Sequence, residues 1–366
     1  MAEVNHGEIY QNLVECLNSQ GLKWVNQQVS ETILAGKTIE DIVPRRMYPA
    51  LKIEDYIDSE RVLLLIDAWE KVVIHTTEIE AEIKTFLAEI QTEFGLEPAL
   101  IFYEADETEG NAFKFTGDGV ETRIKPAIQW QKFLERCRGA LQENRNYTSL
   151  IPQIQENLAG LVTPLMRTEN HLKNLFKFYI LRIILKAAAN EGATIHYQNV
   201  LDETPGTLTF RNSASKIHGN SRPYSHVVLE FPEKPPLEIH LGVKLQGRSW
   251  VLHDTDLIIL HQQEAHLCRT KKREPRPSRV ILMAESKYNP SLLKLDLARS
   301  FLGLVSDLRI RGDCYFITNT VSPAAAKLLT ISRKKWEQNI SPRATNEVNR
   351  LMYSIQTVFK DFKARY

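Results

Sequence analysis

Between Leu237 and Thr318 the hydrophobic pattern leaves few folds open. Leu237 to Leu245, Trp250 to Leu260 and Val280 to Ser286 are apolar runs of strand length, rich in Leu, Ile and Val. Ser291 to Leu308 then takes helical spacing, and Cys314 to Thr318 returns to a strand. A helix placed between two strands of one sheet is a crossover, so this part of the chain reads as α/β. Thr207 to Phe210 and Val227 to Phe231 supply earlier strands. Before them, Thr163 and Pro164 form an N-cap and first helical residue, and the stretch to Ala189 is a long helix. Its apolar face carries Leu172, Leu175, Phe176, Ile180, Ile183 and Ile184, and Glu191-Gly192 closes it.

Upstream the period differs. Apolar residues recur at three- and four-residue spacing from Gly7 to Lys37 and from Ser59 to Phe94, as in Ile79, Ile83, Phe86, Leu87 and Ile90, which indicates amphipathic helices. Pro44 and Pro49 interrupt them. Ala99 to Tyr103 and Ala112 to Phe115 read as a β-hairpin, and Gln129 to Leu141 as a further helix. Polar residues and a proline between Asn144 and Pro152 suggest a boundary. Two domains are therefore expected: a mainly helical one over 1–150, and an α/β one over 151–366 that ends in a basic helical segment from Pro323.

Charge follows the same division. Residues 1–150 hold 15 Lys and Arg against 26 Asp and Glu, a net of −11; residues 151–366 hold 31 against 19, a net of +12. This predicts that the second half meets a polyanion and the first does not. Apolar runs such as Val62 to Ile66 are far too short to cross a bilayer. The start, MAEVNHGEIY, lacks the basic and apolar stretches of a secretory signal, so a cytoplasmic location is expected. Cys16, Cys137, Cys268 and Cys314 show no paired spacing, which argues against a zinc ribbon, an iron–sulfur cluster or a disulfide framework.

The chemistry-bearing residues sit at strand ends. In Val280-Ile281-Leu282-Met283-Ala284-Glu285-Ser286-Lys287, Glu285 and Lys287 are two residues apart and share a face. In His253-Asp254-Thr255-Asp256, an acidic pair precedes the aliphatic run Leu257 to Leu260. If these strands are neighbours, Asp256 and Glu285 approach each other. The repulsion between two carboxylates is offset most simply by Mg²⁺ or Mn²⁺, which takes hard oxygen ligands. Such an ion polarises a phosphate oxygen and lowers the pKa of a bound water, while Lys287 orients that water or offsets developing charge.

Over residues 163–320 this arrangement resembles the PD-(D/E)xK nuclease superfamily, with Asp256 as the motif's aspartate and Glu285-Ser286-Lys287 as its E-x-K. The resemblance implies a restriction-endonuclease-like mixed sheet flanked by helices. It also implies Mg²⁺-dependent phosphodiester hydrolysis, in DNA rather than RNA, and a restriction or phage-defence role. Asp256, Glu285 and the Ser286 carbonyl would hold the metal, with Asp254 and the helix residue Glu169 as additional candidates. Cutting both strands would call for a homodimer, and the N-terminal domain could dock a partner protein. The chain departs from the family's usual apolar-Asp pair by offering Thr255-Asp256. The bare motif also recurs at Glu82-Ile83-Lys84 and Asp361-Phe362-Lys363, both in helical patterns.

Other readings compete. His253-Asp254 matches the His-Asp metal pair of HD-type phosphohydrolases, but that pair belongs on a helix and this segment reads as a strand. His261, His266 and Cys268 match no zinc spacing and are expected in a loop after the strand. Arg269 to Arg279, RTKKREPRPSR, is expected as a loop or hairpin tip beside the metal site, with Lys271, Lys272, Arg273 and Arg276 on phosphates. Arg333-Lys334-Lys335 beside Trp336 would extend that surface. A rival class is a nucleic-acid-binding or assembly subunit that keeps the nuclease fold without catalysis.

Overall fold

The computed structural model describes residues 78–103, 113–118, 169–201, 203–218, 224–288, 293 and 295–366. Nearly all belong to one compact unit, Ile79–Gly117, Asn170–Asn289 and Leu293–Tyr366. The second unit, Met1–Glu78, Asp118–Glu169 and Pro290–Leu292, lies almost wholly outside the described residues. So do the helices expected over Gly7–Lys37 and Gln129–Leu141, the 59–77 part of the next helix, and the Thr163 cap.

The described chain is mixed α/β. Helix α1 (78–94) leads to strands β1 (Glu97–Tyr103) and β2 (Phe113–Thr116); α2 (Glu169–Asn190) leads to β3 (Thr194–Asn199), β4 (Thr207–Arg211), β5 (Ser225–Glu230), β6 (Leu237–Gln246) and β7 (Leu252–His261). Helix α3 (Gln262–Lys271) and a 3₁₀ turn at Pro277–Arg279 precede β8 (Val280–Lys287). Then come α4 (Leu295–Leu308), β9 (Asp313–Thr318), α5 (Pro323–Ile331), β10 (Lys335–Glu337) and α6 (Thr345–Arg365). Seven strands form one sheet in the order β10-β9-β8-β7-β6-β5-β3, and three form another, β2-β1-β4.

In the large sheet β5, β6, β7 and β8 are antiparallel neighbours, whereas β9 runs parallel to β8 through the α4 crossover. Leu257 to Leu260 and Leu282 to Ala284 are essentially fully buried, which explains why these strands read as unbroken apolar runs. Helix α2 is apolar nearly all round because it is covered on more than one side. Phe178 meets Phe86 of α1 at 5.4 Å and Phe210 of β4 at 5.5 Å, while Phe176 meets Tyr288, just after β8, at 5.8 Å.

Two expectations are corrected. Residues 79–117 do not group with the N-terminal part: β1 pairs in parallel with β4, aligning Phe102 with Phe210, and Arg182 of α2 pairs with Glu82 and Glu89 of α1. The segment expected as a loop after β7 begins as helix α3, which ends at Lys272 in the left-handed region (φ 49°). The basic C-terminal stretch is largely helical, as expected, and Lys335–Glu337 adds an edge strand on β9. The hairpin itself is present, with β1 and β2 antiparallel.

A polar layer is sealed inside the large sheet. Glu238 is fully buried on β6, accepts a bond from Arg269 of α3 at each oxygen (2.8 and 3.1 Å) and bonds His240 at 2.8 Å. Burial opposes its charge, but His240 and Arg269 outweigh that and hold the carboxyl below its ordinary range. His226 stacks on His240 at 5.0 Å and is pushed down to about 3 by burial and by that neighbour, so it stays neutral. Removing one partner of such a pair leaves an uncompensated buried charge. Arg269→Ala should therefore cost about 3–5 kcal/mol in urea unfolding, and a loss under about 1 kcal/mol would show that α3 does not carry the Glu238 charge.

Candidate active site

The register that aligns Leu257 with Ala284 brings Asp256 alongside Glu285 one step further toward the strand ends. Each carboxylate is the first acidic residue beyond a buried aliphatic run, so the core that anchors β7 and β8 also fixes where they emerge. The backbone N–H of Asp256 donates to Glu285 Oε1 at 3.2 Å, and that of Ser286 donates to Asp256 Oδ2 at 2.9 Å. Lys287 Nζ reaches Asp256 Oδ2 at 3.2 Å and Glu285 Oε2 at 2.9 Å. The expected trio is therefore one bonded group.

The structure adds a fourth member that the sequence reading missed. Lys177, on the large-sheet side of α2, places its Nζ 2.8 Å from Asp256 Oδ1. Its signal was available as a lone cation inside the apolar run Leu175-Phe176-Lys177-Phe178. Two carboxylates and two ammonium groups thus offset one another at a site where the Asp256 and Glu285 side chains are only 13% and 8% exposed.

The offset is unequal. Burial opposes the Asp256 charge, yet Lys177 and Lys287 together hold its carboxyl well below the usual range. Glu285 has only Lys287, and burial with the adjacent Asp256 charge pushes it up to about 7. Lys287 is disfavoured by burial but held above the ordinary lysine value by both carboxylates. Two carboxyls in contact with their affinities driven apart is the pattern of a site built to handle protons or cations.

The remaining candidates lie elsewhere. Asp254 is exposed and pairs with Lys244 at 3.0 Å, so Asp256 is the aspartate that meets Glu285. Glu169 opens α2, eight residues before Lys177 and so about 12 Å along the helix axis; the helix brings a lysine to the group. His253 bonds Asp307 of α4 at 2.6 Å, and with Asp254 turned to Lys244 the pair shares no site. His261 precedes α3, His266 is exposed on it, and Cys268 is buried beside Glu264. Among the described residues no three His, Cys, Asp or Glu side chains gather as a metal-ligand group.

No family model, curated protein or solved structure matches this chain.

The basic segment is not beside the carboxylates. Asp256 lies early in β7 and Glu285 late in β8, so the connection from His261 to Val280 is at the opposite end of both strands, about 17 Å away at five residues of about 3.3 Å. Arg269 is committed to Glu238, and Arg273 to Glu264 at 2.7 Å. Lys271, Lys272 and Arg276 are exposed at that far end. Lys335, from the other basic stretch, pairs with Asp313 at 3.0 Å.

A raised Glu285 has a defined consequence. Its folded-state pKa lies above the unfolded value of 4.5, so its stabilisation is complete below that value and is lost as pH rises through about 7. Asp256, held low, and Lys287, held high, change only outside this window. In EDTA, wild type should lose unfolding free energy relative to Glu285→Gln over roughly pH 5 to 8; a constant difference across that range would remove the assignment.

Proposed function

We propose that the chain is a divalent-cation-dependent nuclease of the PD-(D/E)xK type that hydrolyses phosphodiester bonds in DNA. The observation that carries this reading is the bonded group of Asp256, Glu285 and Lys287 at the edge of two paired strands. The order of elements supports it: a long helix, the antiparallel β6-β7-β8, a crossover helix and a parallel β9 suit a restriction-endonuclease-like core. The choice of DNA over RNA, and a restriction or phage-defence role, rest on the resemblance alone.

The donors suit Mg²⁺ or Mn²⁺. They are hard oxygens, and Lys287 already shares one positive charge between an oxygen of each carboxylate. Asp256, Glu285 and the Ser286 carbonyl would hold the ion. When bound, it supplies Lewis-acid polarisation of the phosphate and a water of lowered pKa. Lys287 orients the attacking water and faces the charge that develops on the phosphate. Lys177 acts through Asp256, keeping it ionised and fixing its rotamer by the 2.8 Å contact.

Plasmid nicking tests the assignment. Wild type should nick in Mg²⁺ and not in EDTA, and Asp256→Ala and Lys287→Ala should each lose about 10²-fold or more. If wild type and both variants behave alike, the chain does not use this group, and a binding subunit without turnover is the better description. Lys177→Met should lose only about tenfold. In EDTA, the Asp256 carboxyl of Lys177→Met should titrate at higher pH than in wild type when followed by NMR, because it would keep one of the two cations that hold its pKa down; an unmoved titration would deny Lys177 this role.

A further inference from the structure

At the opposite end of the large sheet from the carboxylates, a cavity of about 440 Å³ opens between the starts of β8 and β9 and the last turns of α6. Four arginines line it: Arg276 and Arg279 before β8, Arg311 before β9 and Arg365 at the end of α6. Only Asp313 and Asp361 oppose them in the lining, and Asp313 is already paired with Lys335 at 3.0 Å. Among the described residues, no side-chain hydrogen bond or ion pair holds any of the four guanidinium groups. Four like charges gathered round one concavity repel each other, a cost that an anionic ligand removes.

Shape and chemistry narrow the ligand. The volume falls in the usual range for small-molecule sites, roughly 300–1,000 Å³, and is far larger than one phosphate requires. One wall is aromatic: Tyr366 packs edge-on to His261 with centroids 4.9 Å apart and lies 5.3 Å from Phe362. His261 is held below its ordinary pKa by burial and by the Arg279 charge, so this wall stays neutral near pH 7 and suits a stacked base. The opposing side is close-packed backbone, since a Cβ at Gly312 would collide with the Ile281 carbonyl oxygen. Guanidinium forks match phosphate oxygens two at a time.

We propose that this cavity binds a nucleoside polyphosphate, with the phosphates on Arg276, Arg279, Arg311 and Arg365 and the base against Tyr366 and His261. The site uses none of the groups assigned to hydrolysis and stands whether or not that assignment holds.

Calorimetry on the full chain in EDTA, which keeps divalent ions from drawing ATP to the carboxylates, tests it. ATP should bind saturably, about tenfold or more tighter than inorganic triphosphate. The double variant Arg279→Ala/Arg311→Ala should weaken ATP binding about tenfold or more. Asp256→Ala should leave it unchanged, as should Lys271→Ala/Lys272→Ala, which removes the same charge from exposed positions outside the cavity. Absence of saturable ATP binding would overturn the proposal, as would equal binding of triphosphate or equal weakening in the lysine variant. A DNA duplex that binds more tightly than ATP and loses that affinity with Arg279 and Arg311 would also overturn it, by making the cavity part of a nucleic-acid track.

Discussion

The antiparallel pairing of β7 with β8 is the constraint on which the rest of the site depends. It aligns Leu257 with Ala284 and so forces Asp256 against Glu285, two carboxylates at the edge of a core that excludes most water. In that setting like charges cannot both ionise without compensation. The compensation comes from two directions: Lys287 two residues along β8, and Lys177 from a helix that ends 90 residues before β8 begins. The position of α2 is set by its aromatic neighbours. Phe178 is held among Phe86 and Phe210 and Phe176 against Tyr288, so the residue between them is delivered to Asp256.

The same pairing separates two groups of residues that the sequence had placed together. A residue early in one strand and a residue late in its antiparallel neighbour share one end of the sheet. Whatever connects the strands must then lie at the other end. Here the connection is α3 and the Pro277–Arg279 turn, so the basic residues between β7 and β8 stand a strand length away from the carboxylates. That conclusion needed only the order of Asp256, the loop and Glu285, together with the antiparallel rule. Contiguity in sequence had suggested the opposite.

What was legible follows from how each element is buried. The central strands are covered on both faces and announce themselves as aliphatic runs; α4 shows its helical period because one face meets the core and the other water. Helix α3 did not announce itself. Its inward positions are Glu264, Ala265 and Cys268, and the charge at Glu264 is satisfied by Arg273 and the Arg276 N–H, contacts that no local pattern encodes. Joining residues 79–117 to the α/β unit depends on the parallel alignment of β1 with β4 across more than a hundred residues, which is equally invisible to periodicity. At the site, Asp256 and Glu285-x-Lys287 could be read because strand period and strand end are local properties. Lys177 stood out only as a lone cation in an apolar run, and its partner could not be read, because that pairing arises only when a distant helix lands on β7.

Net charge counted along the chain is a poor guide to where an anion is bound, and the reason is visible in individual pairs. Of the basic residues in the second half, Lys177, Arg182, Arg269, Arg273, Lys335, Arg350 and Lys363 are each committed to a carboxylate in this unit. A paired cation contributes little field beyond its partner. The potential available to a ligand comes from the remainder, and the arginines of the far-end cavity belong to that remainder. The excess of +12 over residues 151–366 is what is left once acidic and basic residues of that segment cancel, and four of its arginines gather round one concave surface.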